Sequence, residues 1–257
     1  MIQPIIPVWK KMGQSTHKIA KVISEKYGVK TSHTGTLDPM AEGVVIVLTG
    51  ETRLKKYEYA NWSKEYEFEI SFGLSTDSGD GLGLIVKNKL KEVPPKKKSF
   101  STIRLTEVLK SFEGAYKFKL PIYSAKKVKG KPLHWYAREG KDVTVPEKEG
   151  FIYEIKLLER NKILLRELCT TLISKINMVA GDLRQTEIIN QWNKTADMTN
   201  TALKKIDLIK IKCVTSKGVY VRAIAQDFCD RLGATGFVFS LVRSRNGIYT
   251  RQDCIYL

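Results

Sequence analysis

Four stretches of the chain hold side chains that could do chemistry. The first, residues 33–43, reads His33-Thr34-Gly35-Thr36-Leu37-Asp38-Pro39-Met40-Ala41-Glu42-Gly43. It sets one carboxylate, Asp38, in a Gly/Thr/Pro loop just ahead of an apolar run, where it can be held on a rigid edge and face a cleft. The same pattern also suits a turn aspartate that bonds its own backbone ahead of proline. The second, residues 216–222, reads Ser-Lys-Gly-Val-Tyr-Val-Arg. Tyr220 and Arg222 flank a predicted helix start, where free N–H groups and the helix dipole favour anions. An arginine there can take a carboxylate or phosphate through two parallel bonds, or it can be one more surface cation on a basic protein. Tyr66 suits either a packed core or a platform for a stacked base. Lys126, Lys127, Lys129 and Lys131 crowd a loop around Gly130. Such flexible point charges track a phosphate backbone rather than read a base, or simply solvate the loop.

What the chain lacks narrows the chemistry. There is no phosphate-binding glycine loop, no dinucleotide fingerprint, no zinc-protease helix motif and no nucleophile elbow. Three histidines and four cysteines, at 169, 213, 229 and 254, show no metal-ligand spacing. Free thiols in a reducing compartment are the expectation, and no metal. No run of about 18 apolar residues suggests a membrane span, and the start lacks the pattern of a secretory leader. A cytoplasmic protein is expected. Lys and Arg number 44 against 27 Asp and Glu, a formal charge of +17. That balance points to a polyanionic partner, with nucleic acid foremost.

These residues must be positioned by the elements around them. A helix is predicted over residues 15–27, capped by Ser15 or Thr16 and stopped at Gly28. Residues 31–43 read as a loop and 44–49 as a buried strand. Residues 66–72 alternate as a half-exposed strand, 74–83 form a turn-rich acidic loop, and a strand begins at Ile85. A basic linker covers 93–98. Helices are predicted over 102–112 and 132–139, and a strand over 152–158. Residues 161–200 change texture: Leu164, Leu165, Leu168, Leu172 and Ile176 fall at helical spacing, then Ile188, Ile189 and Trp192. Strand 206–214, amphipathic helix 221–232 ending at Gly233, and strand 237–242 complete an α+β pattern with a mixed or antiparallel sheet.

Together the fragments resemble the TruB/dyskerin family of pseudouridine synthases. Residues 33–43 match that family's central motif, roughly H-T-G-x-L-D-P-x-A-x-G. Lys64-Glu65-Tyr66 follows, then the loop 73–83 leading into Ile85-Val86. The segment around Pro121-Ile122-Tyr123-Ser124-Ala125, with Gly130-Lys131-Pro132-Leu133 and Tyr136-Ala137-Arg138-Glu139-Gly140, comes next. Ser216 to Arg222 closes the series. The likeness covers about residues 7–158 and 206–249. It implies a mixed, mostly antiparallel central sheet with flanking helices. It also implies isomerisation of uridine to pseudouridine in folded RNA, in bacterial members in the T-loop of tRNA, with no cofactor.

By the resemblance, Asp38 is the essential aspartate, attacking C1′ of the ribose or taking the 2′ proton. Tyr66 would stack on the flipped uracil and help remove its C5 proton. Arg222 would pair with Asp38. Tyr220 and Leu241 would pack around the base. His33 would brace the gap left in the RNA stack, and Arg53 would contact RNA. Lys126, Lys127, Lys129 and Lys131 would lie on a mobile loop that closes on tRNA. A stand-alone, monomeric enzyme acting on the tRNA T-arm without an obligate protein partner is expected. The alternatives are a guide-RNA-dependent or rRNA-directed synthase, or an idle RNA-binding or tRNA-folding protein.

The sequence also departs from the family. The usual Lys-Pro pair near the start is matched by Lys10-Lys11. Residues 161–200 have no counterpart and are expected to be a helical insertion within one catalytic domain spanning 1–257. The chain ends at Leu257, so no C-terminal PUA domain is expected.

Overall fold

The computed structural model describes residues 3–90, 101–198 and 204–257. The predicted basic linker at 93–98 lies outside them. Strand β1 (Ile5–Lys10) leads to helix α1 (Thr16–Tyr27), and strands β2 (Thr31–Thr34) and β3 (Ala41–Thr49) follow. A 3-10 turn (Gly50–Lys55) and α2 (Lys56–Ala60) precede β4 (Lys64–Phe72), β5 (Leu74–Thr76) and β6 (Ile85–Asn88). Next come α3 (Thr102–Lys110), β7 (Gly114–Lys119), β8 (Lys127–Val128), β9 (Lys131–Pro132) and α4 (Leu133–Arg138). The long β10 (Glu147–Leu164) runs into α5 (Leu165–Asn177) and α6 (Gln185–Ala196). The chain closes with β11 (Lys205–Thr215), α7 (Val221–Arg231), β12 (Gly236–Asn246), β13 (Tyr249–Thr250) and β14 (Ile255–Tyr256).

Local rules explain several boundaries. The Ser15 hydroxyl accepts from the Lys18 N–H and starts α1, and Gly28, at φ +63°, ends it. In α7, Val221, Ile224, Ala225 and Phe228 are buried at helical spacing, and Gly233 follows at φ +63°. β4 alternates Tyr66, Phe68 and Ile70 inward with Glu65, Glu67 and Glu69 at the half-exposed face.

The main sheet runs β14-β1-β3-β12-β4-β11-β10-β7, with β2 on β3 and β13 on β12. Two pairings are parallel, β1 with β14 and β3 with β12; the others are antiparallel. This is the expected mixed, mostly antiparallel sheet. One face packs on α1, α3 and α7 through residues such as Val45, Phe68, Ile211 and Ile224. Toward the other face, Phe237, Phe239 and Leu208 join α5 and α6 in a second cluster around Leu172 and Trp192. β3 is buried on both sides: Val45 and Val47 serve the first core, while Val44, Ile46 and Leu48 pack with Trp9.

Four expectations need correction, the first being that 74–83 is all loop, since Leu74–Thr76 pairs with β6 as β5. Residues 31–43 are not all loop, because the polar strand β2 pairs Thr31–Thr34 with Ile46–Thr49 and leaves 35–40 as the connection. The strand read at 152–158 is 18 residues long, because its charged outer half still pairs with β11. The two helices are therefore reached only at Leu165, and residues 161–164 belong to β10. They leave from the tip of the β10–β11 ribbon, whose last register pair is Leu164 with Lys205.

Candidate active site

The loop after β2 brings Asp38 to the end of the central strands. There it meets Arg222, which enters from the first turn of α7 on the far side of the sequence. Arg222 Nε donates to Asp38 Oδ2 at 2.8 Å, and Nη2 donates to Oδ1 at 2.9 Å. The pair is bidentate, with the guanidinium 4% and the carboxylate 28% exposed. The remaining donors are aimed by backbone: Nη1 donates to the Ser78 carbonyl at 2.8 Å, and Nη2 also to the Tyr123 carbonyl at 3.1 Å. Asp80 Oδ2 lies 4.0 Å from Arg222 Nε. Burial pulls the Arg222 pKa down, but Asp38 and Asp80 more than offset this, so it stays above its ordinary value. Asp80 is itself pushed up by burial, although Arg222 pulls against it. Its Oδ1 accepts from Ser78 Oγ and the Leu82 N–H.

Two buried cations hold the Asp38 loop from beneath. Lys10 Nζ donates to the Ala41 carbonyl at 2.5 Å and the Pro39 carbonyl at 3.4 Å. Burial lowers its pKa to about 8, against the pull of Asp38. Arg243 Nε donates to the Val44 carbonyl at 2.7 Å, and its Nη2 to the Gly35 carbonyl at 3.1 Å. Gly43 permits this arrangement. It sits at φ +124°, and a Cβ there would overlap the Arg243 carbonyl oxygen.

A cleft of about 640 Å³ opens over the pair, lined by Asp38, Tyr66, Tyr220, Leu241 and Arg222. Tyr66 is buried, and its phenol pKa is raised by burial while Arg243 opposes the shift. Half-buried Tyr220 is raised in the same way, with Asp38 adding to burial. The rim carries cations, among them Lys126, Lys148 and Arg184. The floor thus offers a part-exposed carboxylate held by a fork, aromatic and apolar walls, and a positive mouth. That combination suits a planar base with an attached anionic backbone.

A family model for "TruB family pseudouridylate synthase (N terminal domain)" matches residues 21–174. The chain belongs to the TruB family. It is 34% identical over 248 residues to the tRNA pseudouridine synthase B of Caldanaerobacter subterraneus subsp. tengcongensis, covering 96% of this chain and 70% of the relative. It is 31% identical over 262 residues to the protein of the same name from Bacillus pumilus, covering 100% of this chain and 69% of that one. Among solved structures it resembles a chain in the crystal structure of a Cbf5-Nop10-Gar1 complex, at TM-score 0.58 and 17% identity. It also resembles one in an H/ACA RNP bound to a substrate RNA containing 2′-deoxyuridine, at TM-score 0.55 and 16% identity. Nearly all of this chain, 98%, is covered in both, but it spans only 52% and 50% of those chains. At that identity the likeness is one of fold.

Of the residues the family pattern singles out, Asp38, Tyr66, Tyr220, Arg222 and Leu241 converge on the cleft. His33 does not line it. It lies on β2 opposite Val47, with burial pushing its pKa down to about 4 and Nδ1 lacking a hydrogen-bond partner. Arg53 is half-buried on the 3-10 turn, away from the lining. Lys126, Lys127, Lys129 and Lys131 are all exposed, and only Lys126 of the four reaches the cleft. Lys127 and Lys131 lie on the β8–β9 hairpin, and Lys129-Gly130, both at positive φ, makes its two-residue turn.

Sequence reasoning missed Asp80, Arg243 and Arg184. Only Asp80 stands in a stretch whose composition is itself a signal, the acidic turn after β5. Among the described residues no group of three or more His, Cys, Asp or Glu is placed to hold a metal ion. No helix there is long and apolar enough to cross a membrane.

Proposed function

We propose that the protein isomerises uridine to pseudouridine in tRNA, acting on the T-arm as a cytoplasmic enzyme without an obligate protein partner. The observation that carries this reading is the two-point grip of Arg222 on a part-exposed Asp38 at the floor of an aromatic, basic-rimmed cleft. The guanidinium holds both carboxylate oxygens and aims the group. Asp38 then attacks C1′ of the ribose or removes the 2′ proton. Either route breaks the N1–C1′ bond, with its electron pair leaving on N1. The freed uracil turns between Tyr66, Tyr220 and Leu241, and C5 bonds to C1′ as the Asp38–C1′ bond breaks or, on the second route, as Asp38 returns the proton to C2′. The C5 proton is lost and N1 takes one up, so the product is an isomer of the substrate. Removing the base from its stack costs a few kcal/mol, and stacking walls and rim cations offset that.

The unit that does this is one catalytic domain in which α5 and α6 are inserted at the tip of the β10–β11 ribbon. The test is to incubate the pure protein with an unmodified tRNA transcript and map pseudouridine by carbodiimide chemistry. Product in the T-loop is expected with no guide RNA, and none from Asp38→Asn, which still binds the transcript. Turnover by Asp38→Asn within tenfold of wild type would overturn the assignment.

A further inference from the structure

The α5–α6 hairpin sends a charged side chain back to the candidate active site. Arg184, on the turn into α6, donates from Nη1 to Asp77 Oδ2 at 2.8 Å and from Nη2 to Asp77 Oδ1 at 3.4 Å. Its guanidinium also lies on the Tyr123 ring, 4.6 Å from the centroid. The Tyr123 hydroxyl donates to the same Asp77 Oδ2 at 2.9 Å. Asp77 is tied locally as well, since its Oδ1 accepts from the Leu84 N–H at 2.8 Å. Three segments far apart in sequence are thus pinned at one carboxylate. The ion pair is mostly shielded, with Arg184 25% and Asp77 21% exposed.

These are the segments that aim Arg222. Ser78, next to Asp77, supplies the carbonyl that takes Arg222 Nη1, and Tyr123 supplies the one that takes Nη2. The backbone of Arg184 adds a second observation. It sits at φ +64°, one of two non-glycine residues at positive φ among the described residues. Such a conformation costs of order 1 kcal/mol or more and persists where the surroundings over-determine it. A residue serving only to begin a helix would do so more easily as glycine or asparagine.

Resting on the function proposed above, we infer that Arg184 is a positioning residue. By clamping Asp77 and Tyr123 it fixes the two carbonyls that orient Arg222, and through Arg222 it holds Asp38 at its working angle. The α5–α6 hairpin is then part of the active-site frame.

The test uses the full chain and the variants Arg184→Ala, Arg184→Lys, Asp77→Asn and the double variant. The rate of pseudouridine formation at saturating enzyme should fall at least tenfold in Arg184→Ala, a loss that saturation separates from the weaker tRNA binding expected when one rim cation is removed. Angular error at a reacting group is expensive, at about 100-fold per ångström. Lysine should restore only part of the rate, since it keeps the charge but not the fork or the ring contact. The double variant should be no slower than the slower single one, as expected of residues acting as a unit. A second readout does not need activity. The Arg222 Nε–H resonance, assigned by its absence in Arg222→Lys, should be sharp in wild type and broadened or shifted in Arg184→Ala. An unchanged resonance and a rate within twofold of wild type overturn the inference. So does a slowed rate that tracks a lowered unfolding temperature or adds to that of Asp77→Asn. A changed resonance in a protein that makes no pseudouridine upholds the positioning and sinks the proposed reaction instead.

Discussion

Arg222→Lys keeps one positive charge at the centre of the site and removes its shape. The guanidinium makes four hydrogen bonds, two to Asp38 and one each to the carbonyls of Ser78 and Tyr123. A lysine ammonium cannot hold both carboxylate oxygens and both carbonyls from a single nitrogen. Loss of two bonds to a charged group, at ~1.5–3 kcal/mol each, leaves a deficit of ~3–6 kcal/mol. Expressed wholly in the transition state, that is roughly 150- to 25,000-fold in rate. The assay is single-turnover pseudouridine formation with enzyme in excess, alongside filter binding of the same transcript and thermal unfolding of the same sample. A fall of at least 100-fold is expected, with tRNA affinity within threefold and a cooperative unfolding transition retained. The double variant with Asp38→Asn should be no worse than Asp38→Asn alone. A variant within tenfold of wild type would refute the reasoning, as would a loss appearing equally in affinity.

Other expectations follow from separate features. His33, held near pKa 4 chiefly by burial, ionises more readily in the unfolded chain, whose value is about 6.5. The stability it secures is present above pH 6.5 and lost toward pH 4, by ~2–3 kcal/mol. Urea midpoints at pH 7 and 4.5 should therefore converge in His33→Gln, and an equal drop in both proteins would count against the buried neutral ring. Replacing Lys126, Lys127, Lys129 and Lys131 with alanine should make the salt dependence of tRNA binding shallower, by roughly 0.7–0.9 in log–log slope for each phosphate no longer neutralised. An unchanged slope would remove the hairpin from the RNA interface. Gly43→Ala drives a Cβ against the Arg243 backbone and should cost ~3 kcal/mol or more by parting β3 from β12. An unchanged denaturation midpoint would contradict that packing.

How much of this was legible depended on whether a residue's role was local. Helices α1 and α7 could be read because cap, periodicity and stop residue all lie within one short window. β4 could be read because its glutamates alternate with aromatics and Ile70. β2 could not, because a run of Thr, Ser and His becomes a strand only through its pairing with β3. β7 went unread although Tyr116 and Phe118 alternate with lysines, and β10 was cut short where its charged half solvates. In the site, Asp38, Tyr66, Tyr220 and Arg222 sit in compact motifs. Arg243 and Arg184 look like ordinary members of a basic surface, and Lys10 stands out only as part of the pair that replaces the family's Lys-Pro. Only the sheet register and the α5–α6 path turn them inward, where their partners are backbone carbonyls and a distant carboxylate.

Asp38 and its guanidinium partner stand 184 positions apart, and the loop between them is framed by the parallel union of an early strand with a late one. Bringing such distant pieces together is slow relative to local folding, and a chain emerging from the ribosome has its first part exposed long before the rest exists. A half-made molecule therefore carries an inert acid. On the function proposed above, a chain that has not yet reached Arg222 lacks the fork that aims Asp38, so competence requires the late strand and helix to be in place.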